Sequence, residues 1–502
     1  MAVKENTQRK TPAGLYELTD SARESLSQNA YYNEDLAPTK LGQRTWNTYH
    51  IAALWIGMSV CLPTYMMASS GMSLGLSWWQ SLLNILIGNL IVLIPMQLNS
   101  HAGTKYGIPF PVFARLSFGI RGAHLAAIAR AIVAAGWFGI QCWIGGAAIN
   151  TIISAFSASW AAWAGGQWAS FFLFWGISTF VAWSGPDAIK FMESWGAPIL
   201  GILSVALMIW AVAAVKNVNG SISQIFNQPA TYAPGTFWKI FLPVLTANIG
   251  FWATLALNIP DFSRYAKSQK DQLTGQLIGL PPSMAAFAFV GVFVTGACVV
   301  AFGEAIWDPS LVIARIDNPI AAVLGALGIA IATMTTNIAA NVVAPANGIS
   351  NISPKRISYR TGALITGLAG VAIMPWRLLS SASGYIFNWL GTYALFLGPL
   401  AGIYIADYYI YRKKTIDLYD LFSGTGGRYW YKNGFNLRAI CVWIITCIPA
   451  VLGKFIPALS FFADNGWVVG FVLAIVLYPL FMKNQSETLL TESEEKTITQ
   501  EA

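Results

Sequence analysis

Charged residues are scarce in this chain. Asp, Glu, Lys and Arg make up 10% of its 502 residues, against roughly 25% in an average soluble domain. Hydrophobic residues make up 55%, and the mean hydropathy is +0.54. Because so few charges cannot cover the surface of a water-soluble protein of this length, the composition indicates a polytopic membrane protein. The net charge of +8 is then a consequence of membrane topology, and nucleic-acid binding is not expected.

Cysteine and histidine are also rare. The three histidines, His50, His101 and His124, fall at predicted helix ends, and none is placed like a metal ligand or a catalytic base. The five cysteines lie in or beside apolar runs without a CxxC pair, which argues against disulfides and a metal site; they are Cys61, Cys142, Cys298, Cys441 and Cys447. Since a nucleophile with its base is not visible either, the sequence disfavours an enzyme.

Long apolar runs are what the chain has in abundance, and each approaches or exceeds the ~20 residues of a spanning helix. We predict an all-α protein with twelve such helices, near 50–70, 77–98, 124–153, 167–184, 194–215, 238–259, 280–301, 319–343, 361–376, 384–410, 437–455 and 463–482. This gives a transmembrane domain over residues 49–482, flanked by polar segments at 1–48 and 483–502.

The placement of Lys and Arg predicts the orientation of these helices. With the N-terminus inside, most of the 30 basic residues fall in cytoplasmic segments, as such residues prefer. The external ones are Lys216, Lys239, Arg315, Arg377 and Lys454. We therefore expect both termini in the cytoplasm and the protein in the plasma (cytoplasmic) membrane of the cell. Residues 1–48 lack the apolar core of a signal peptide, and the acidic tail TESEEKTITQEA is expected to be solvated and disordered.

Two apolar runs contain a residue that can interrupt a helix. Pro63 removes a backbone donor from the first run, and Gly250 lies in the middle of the sixth. Such breaks are tolerated at membrane depth where the freed backbone groups line a cavity. Because the two breaks are five helices apart, they predict a transporter of two inverted repeats with its site at the midplane. The alternative is that Pro63 only kinks its helix and Gly250 only permits close packing.

The eighth run carries the polar stretch ATMTTNIAAN, in which Thr335 and Thr336 follow one turn after Ala332. Hydroxyl and backbone carbonyl oxygens suit a hard cation, so we predict a sodium site shared with the break in the first helix. The alternative is that each threonine bonds to its own helix. A proton-coupled carrier would keep an acid within its spans, whereas the acids nearest to them are expected at or beyond helix ends: Asp187, Glu193, Asp261, Glu304 and Asp407.

Aromatic and carboxamide side chains suggest the substrate. Trp137 and Gln141 are four residues apart in the third run, as are Asn337 and Asn341 in the eighth, and each pair shares a helical face. Carboxamides both donate and accept hydrogen bonds, and an indole can stack on a ring. With Phe251 and Trp252 directly after Gly250, this set predicts a small neutral ring with alternating C=O and N–H groups as the substrate. Asn337 is expected to make a structural or gating bond.

Six motifs resemble nucleobase-cation-symport family 1, the group of hydantoin, allantoin, uracil and related permeases. They are RTWNTYHIAALWIGM, HAGTKYGIPFPV, WFGIQCWIGG, NIPDFSRYA, TTNIAANVVAP and LGPLAGIYIADYY. The resemblance covers residues 33–483, nearly the whole chain. It implies the leucine-transporter fold with alternating access, in which two inverted five-helix repeats, about 49–215 and 237–411, are followed by two extra helices at about 437–482.

The resemblance also implies residue roles. Sodium would be bound by the carbonyls of Gly57, Val60 and Ala332 and the hydroxyls of Thr335 and Thr336. The ring would lie between Trp137 and Trp252, with Gln141 and Asn341 on its amide edge and Phe251 beside it.

Two departures from the family pattern bear on the substrate. Cys61 stands where relatives have a carboxamide, and Phe251 stands where the hydantoin carrier has a glycine. Phe251 narrows the pocket and favours a compact uracil-like or allantoin-like ring. The alternative is a proton-coupled or uncoupled permease for purines, cytosine or another heterocycle. No organic cofactor is expected, and the predicted partners are the substrate and membrane lipid, with the chain acting as a monomer.

Overall fold

The structure is a computed structural model that describes residues 5–32, 34–184, 186–316, 318–350, 352, 353 and 356–501. Within these ranges, the side chains of 186–197, 339, 343, 347 and 350 are not described. The acids Asp187 and Glu193, which the sequence places at helix ends, therefore lie outside the described side chains.

Helices account for most of the described residues. In the first half of the chain they are α1 (Asp20–Ser27), α2 (Thr48–Ser59), α3 (Leu62–Ser73), α4 (Trp78–Tyr106), α5 (Phe110–Phe118), α6 (Ala123–Phe156), α7 (Ala158–Ala162), α8 (Gly166–Ser184), α9 (Pro186–Asn217), α10 (Ile222–Phe226), α11 (Phe237–Phe251) and α12 (Ala253–Asn258). In the second half they are α13 (Pro260–Ser263), α14 (Gln269–Phe302), α15 (Pro309–Ile313), α16 (Pro319–Asn341), α17 (Val343–Ser350), α18 (Tyr359–Ala372), α19 (Pro375–Leu378), α20 (Gly391–Ile405), α21 (Leu437–Gly453), α22 (Ser460–Asp464), α23 (Gly466–Met482) and α24 (Glu492–Ile498). π-Helical turns at Gly384–Leu390 and Ala406–Tyr411 extend α20 at both ends.

Each of the twelve predicted apolar runs overlaps a helix or a pair of helices. In the described part of the chain, six helices are long and apolar enough to cross a membrane, and eight spans result if each bent pair counts as one. The apolar helices α11 and α21 are shorter. The twelve predicted runs are therefore compatible with the structure, while length and hydropathy alone support six to eight spans.

Both predicted helix breaks are present, but each is displaced by about two residues. The first helix is interrupted at Val60 and Cys61, where α2 and α3 meet with a bend of 57°. Pro63 comes just after the break, in the first turn of α3, where its missing N–H removes no helical bond. The sixth helix is interrupted at Trp252, between α11 and α12. The expectation that Gly250 breaks this helix is thus wrong by two residues.

Gly250 instead permits close packing, which was the alternative reading of this glycine. A Cβ at this position would lie 2.9 Å from Ala394 Cβ and 3.2 Å from Leu390 O. Because the neighbouring atoms belong to the tenth run, the absence of a side chain lets α11 lie directly against that run. The break follows one half-turn later, where Trp252 has the non-helical backbone angles φ −99° and ψ 6°.

The helices pack in two groups whose contact surfaces hold the site. In one group, α6 packs against α8, α16 and α18. In the other, α14 packs against α2, α3 and α4, and α4 also packs against α11 and α12. α20 contacts α11 and α6, so it lies against both groups. Between the two groups, α2 contacts α16 and α12 contacts α6, so the broken helices lie where the groups meet.

The two ends of the described chain meet in one small sheet. Strand β1 (Gln8–Lys10) pairs antiparallel with β2 (Tyr16–Leu18) and parallel with β3 (Thr499–Glu501). The side with this sheet is called the terminal face below. The prediction that the acidic tail is disordered is wrong for its described residues, because α24 and β3 are ordered by contacts with residues that are distant in the sequence. The Glu494 carboxylate accepts from Arg428 Nη2 (2.9 Å), and Tyr16 OH donates to Glu495 Oε1 (3.1 Å).

Candidate functional site

Trp137, in the middle of α6, is the centre of a buried aromatic cluster. Its ring lies edge-on to Phe251, with a centroid distance of 5.2 Å. Phe251 in turn lies edge-on to Trp252 at 5.0 Å, and Trp252 lies edge-on to Trp55 of α2 at 5.3 Å. The cluster thus joins α6 to both broken helices. The structure brings together three residues predicted from sequence, Trp137, Phe251 and Trp252, and adds Trp55.

A second set of aromatic residues, from the tenth run, was missed by the sequence reading. Tyr385 and Trp389 lie edge-on to Trp137, with centroid distances of 6.1 and 6.0 Å. Tyr393 accepts a hydrogen bond from Trp137 Nε1 at 3.3 Å. The signal that could have identified them is their spacing of four residues, which places three large aromatic side chains on one helical face.

The predicted carboxamides occupy both sides of the contact between α6 and α16. Asn341 Nδ2 donates to Asn337 Oδ1 (3.0 Å), and Asn337 Nδ2 donates to Phe138 O (3.1 Å). Asn337 also lies 3.5 Å from Cys142 Sγ. Asn337 therefore bridges the two helices and orients Asn341. Asn341 and Gln141 are both buried, at 7% and 4% exposure.

Several polar atoms in and beside the aromatic cluster have no partner in the described part of the chain. They include Trp55 Nε1 and Trp389 Nε1, and two atoms of residues that the sequence predicts to bind substrate. Gln141 Oε1 is a buried acceptor without a donor, and Trp252 Nε1 is a buried donor without an acceptor. Leaving a buried polar group unpaired costs about 1–3 kcal/mol. A native protein tolerates such a cost where a ligand or water meets it. Beside an aromatic cluster, the two atoms offer one acceptor and one donor to a bound molecule.

The break in the first helix lies near the aromatic cluster, to which the tenth run connects it. Cys61 is buried at the N-cap of α3, and its Sγ lies 3.3 Å from Thr64 Oγ1. Thr64 Oγ1 also contacts Met284 Sδ at 3.4 Å. Tyr385 OH donates to Pro63 O at 3.4 Å, so the tenth run satisfies a carbonyl beside the break. Cys61 and Pro63 thus lie at the break, and the tenth run joins them to the Trp137 cluster.

The five predicted sodium ligands lie on two helices that contact each other, α2 and α16. Gly57 is solvent-exposed near the end of α2, and Val60 ends that helix with a non-helical ψ of 80°. Ala332 and Thr335 are buried in α16, and Thr336 is half-buried. Thr335 Oγ1 donates to Ala332 O at 2.9 Å. The threonine therefore bonds to its own helix here, which is the alternative that its position in the sequence left open.

The described acids lie at the ends of the apolar helices, as the sequence predicts. Asp261 follows α12, and its Oδ1 accepts from Phe110 N at 2.7 Å. Asp407 is buried near the terminal face and is paired with Arg412 Nε at 3.1 Å. Glu304, after α14, is exposed and forms an ion pair with Arg315. None of these three carboxylates contacts the Trp137 cluster in the described part of the chain.

Tyr393→Phe tests whether the tyrosine fixes the plane of Trp137. The variant removes the acceptor of Trp137 Nε1 and should cost about 0.5–1.5 kcal/mol of ligand affinity, a loss of roughly 2- to 12-fold. Heterocycle binding measured by tryptophan fluorescence checks this. The matched control is Tyr404→Phe, which alters the same helix at a buried hydroxyl that has no partner among the described residues and should leave binding unchanged. Equal binding by both variants would contradict the role of Tyr393.

Comparison with known proteins decides the family. A family model described as permease for cytosine/purines, uracil, thiamine, allantoin matches residues 38–471. The chain belongs to this permease family. It is the family that the six motifs indicated, nucleobase-cation-symport family 1, so that prediction is confirmed. The protein is thus a multi-pass membrane transporter and not an enzyme.

Relatives in this permease family cover most of the chain. A purine-uracil permease of Arabidopsis thaliana is 41% identical over 90% of this chain and 77% of its own length. An allantoin permease of Bacillus subtilis is 38% identical over 92% of this chain and 95% of its own length.

Solved structures of transporters share the fold. The inward-facing conformation of Mhp1 matches with a TM-score of 0.78 at 24% identity, covering 94% of this chain and 98% of that one. MhsT in complex with L-phenylalanine matches with a TM-score of 0.50 at 15% identity, covering 84% and 98%. The predicted leucine-transporter-like fold is therefore confirmed.

Proposed function

We propose that the protein imports a small neutral nucleobase or cyclic ureide by sodium symport and alternating access. The observation that carries the choice of substrate is that Gln141 Oε1 and Trp252 Nε1, beside the aromatic cluster, are among the buried polar atoms without a partner in the described part of the chain. A ring with neighbouring N–H and C=O groups would satisfy both atoms and stack against an indole. Since the described carboxylates near the spans lie outside the cluster, a cationic substrate would have no counter-ion there.

The substrate class follows from the size and polarity of this cluster. Phe251 has ring contacts to both Trp137 and Trp252, at 5.2 and 5.0 Å, and so leaves less room for a substrate ring between the two indoles. This favours a compact uracil-like or allantoin-like ring over a hydantoin with a bulky aryl substituent. The two relatives named above, a purine-uracil permease and an allantoin permease, support this class, and purines, cytosine and hydantoins are the alternatives to test.

Sodium would bind between Gly57 and Val60 of the first helix and Ala332, Thr335 and Thr336 of α16. Thr335 Oγ1 donates its proton to Ala332 O, and both oxygens keep a lone pair, so both can become ligands of a hard cation. Asn337 follows Thr336 directly and holds Asn341. Sodium would thus steady the part of α16 that positions Asn341, and ion and substrate would favour each other's binding through one shared free energy.

Alternating access would use the two breaks as hinges. Each proposed repeat, about 49–215 and 237–411, begins with a broken helix, and the tenth run is bonded to both Pro63 and Trp137. In this proposal the terminal face lies in the cytoplasm, as the distribution of Lys and Arg indicates. Movement of the broken helices against α6 and α16 would then expose the site to either side in turn.

Uptake into proteoliposomes tests the proposed function. We expect uracil or allantoin to accumulate under an inward sodium gradient and not under an equal choline gradient. Equal accumulation in both would overturn sodium symport. A proton ionophore that stops uptake in choline would favour the proton-coupled alternative, and the absence of uptake or binding with the whole panel of pyrimidines, purines and ureides would overturn the transport site.

Thr336→Ala tests the ion site. Removing one ligand should raise the sodium concentration for half-maximal uptake about tenfold, equivalent to ~1.4 kcal/mol, and weaken substrate binding in sodium. Thr335→Ala should do the same. Thr366→Ala is the matched control, because its buried hydroxyl also bonds to its own helix, at Gly362 O (2.9 Å), but in α18. An unaltered sodium dependence in both site variants would refute the assignment.

A further inference from the structure

Arg130 is a cation inside the third apolar run that the proposed transport site does not use. It is 4% exposed and lies seven residues before Trp137 in α6. This spacing places it about 10 Å from Trp137 along the helix axis and on nearly the same face. The start of α6 lies near the terminal face, because Arg121 N and Gly122 N donate to Gly434 O, and Arg428 in the same segment donates to Glu494 of the tail. Arg130 therefore lies between the aromatic cluster and the terminal face.

The guanidinium of Arg130 is incompletely paired. Its Nε and Nη1 are buried and have no hydrogen-bond partner among the residues that the structure describes. The ion pairs of the described chain do not include Arg130, although Asp261 is near enough to attract it electrostatically. A buried unpaired donor is unfavourable, and a buried unpaired cation more so.

Asn258, at the end of α12, is a neighbour of this guanidinium. Its Nδ2 donates to Thr254 O (2.7 Å), and its Oδ1 accepts from Arg130 Nη2 (3.3 Å). Both ends of the carboxamide are thus satisfied. Nε and Nη1 of Arg130 are left without a partner in the described part of the chain.

Another buried arginine shows how the chain pairs a guanidinium with a structural role. Arg412 Nε donates to both oxygens of Asp407 at 3.1 Å, and its Nη1 donates to Thr488 O at 2.6 Å. Its Nη2 donates to Leu116 O and to Tyr431 OH. All three nitrogens are thus used. Arg130 differs in having two nitrogens to offer to something that the protein itself does not supply.

We propose that Arg130 and Asn258 form a second, transient subsite for the carbonyl oxygens of the transported heterocycle, on its path from the Trp137 cluster to the terminal face. This inference rests on the proposed function. Asn258 is six residues after Trp252, and Arg130 is seven residues before Trp137. Each residue of the subsite therefore lies about two helical turns nearer to the terminal face than a residue of the main site. In this conformation the subsite is closed, since the nitrogens are buried. Separation of α12 from α6 opens it, and the guanidinium N–H groups then donate to the C=O groups of a passing imide or ureide.

The same chemistry predicts a class of inhibitor. An unpaired guanidinium binds a carboxylate more strongly than a neutral carbonyl, through two charge-assisted hydrogen bonds. Orotate, a uracil that carries a carboxylate, should therefore be held at this subsite and block release. It should inhibit from the terminal face only, because an anion has no counter-ion in the Trp137 cluster on the other side.

Arg130→Gln in proteoliposomes of known orientation tests the subsite. We expect the dissociation constant of uracil or allantoin, measured by tryptophan fluorescence, to change less than twofold, while initial uptake falls at least tenfold. Inhibition by orotate from the terminal face should disappear. The thermal midpoint should not fall, because two of the three nitrogens removed are unpaired. Asn258→Ala should slow uptake in the same direction by a smaller factor.

Several results would overturn the subsite. They are unchanged uptake in Arg130→Gln, an equal loss of binding and uptake, and persistent inhibition by orotate. A variant that does not fold would also overturn it, since that result would show that Arg130 is needed for the fold. Absence of heterocycle uptake by the wild-type protein would overturn the proposed function together with the subsite. Normal wild-type uptake with any of the preceding results would overturn the subsite alone.

Discussion

Replacing Trp137 by alanine should weaken binding of the transported heterocycle about 100-fold. Stacking of a base on an aromatic side chain contributes ~1–3 kcal/mol, and a 100-fold loss corresponds to ~2.7 kcal/mol. The expected effect is near the upper end of this range because Trp137 also holds its neighbours. Phe251, Tyr385 and Trp389 all pack edge-on against its ring. Alanine would leave a cavity at the point where α6, α11 and the tenth run meet, and the ligand would lose a rigid wall.

Trp143→Ala is the matched control for this prediction. Trp143 lies six residues further along α6, where its ring packs against Trp168, Phe171 and Trp376, away from the Trp137 cluster. Its replacement should lower the thermal midpoint without changing ligand affinity. Equilibrium binding of radiolabelled uracil and allantoin separates the two effects. Wild-type affinity in Trp137→Ala, or an equal loss of affinity in both variants, would contradict the assignment of Trp137 as a substrate residue.

Gly139→Ala should destabilise the folded protein strongly, by ~3 kcal/mol or more, because it overpacks a contact between two backbones. An added Cβ would lie 2.1 Å from Gly370 O, and a Cβ on Gly370 would lie 2.8 Å from Ala135 O. A backbone carbonyl cannot move aside as a flexible side chain can. To accommodate the methyl group, α18 would have to separate from α6 over the turn that carries Trp137 and Gln141. Substrate binding should therefore be lost together with stability.

Gly176→Ala is the corresponding control. Gly176 is also a glycine within an apolar helix, α8, but a Cβ at its position has no neighbour within 4 Å. Alanine there should leave stability unchanged or raise it by up to ~1 kcal/mol, since alanine favours the helix. Thermal midpoints and size-exclusion profiles in detergent measure both variants. A Gly139→Ala protein that is as stable as Gly176→Ala would show that the two helices can separate without cost.

The sequence predicted the positions of the helices well because the apolar runs are long and the solvent is lipid. Each run from 50–70 to 463–482 overlaps a helix. In the lipid interior no water is present to bond to the backbone, so each segment must form its backbone hydrogen bonds internally. The positions of the breaks were less certain. Proline predicted the first to within about two residues, because its missing donor is a local property. Gly250 was misleading, because the same residue type also marks close packing, and only the contact with Ala394 and Leu390 distinguishes the two uses.

In the candidate site, too, some residues were predicted from the sequence and others were found only in the structure. Trp137, Gln141, Phe251 and Asn341 were selected from polar and aromatic residues next to one another along the chain, and the structure places Trp137 against Phe251. Tyr385, Trp389 and Tyr393 are more than 240 residues away from Trp137 in sequence and have the composition of ordinary packing residues. Their role near Trp137 depends on the contacts of α20 with α6 and α11, which a single sequence does not encode in any local pattern.

The tail is the clearest example of what local composition misses. TESEEKTITQEA is acidic and poor in apolar residues, which is typical of disordered segments. Its described residues are ordered because Arg428 and Tyr16, distant in sequence, supply the hydrogen bonds to Glu494 and Glu495. Charge balance over the tertiary structure, rather than within the segment, offsets the entropy of ordering it.

By itself the sequence determined that this protein is a helical membrane transporter of a known permease family, because hydropathy, apolar run length and contiguous motifs are local properties. Only the tertiary structure decided which polar atoms remain unpaired. Among the residues that the structure describes, Gln141 Oε1, Trp252 Nε1 and two nitrogens of Arg130 are buried without partners, while Asn337, Arg412 and Tyr393 are paired with residues of other helices. The physical reason is that a hydrogen bond depends on distance and orientation between segments far apart in the chain.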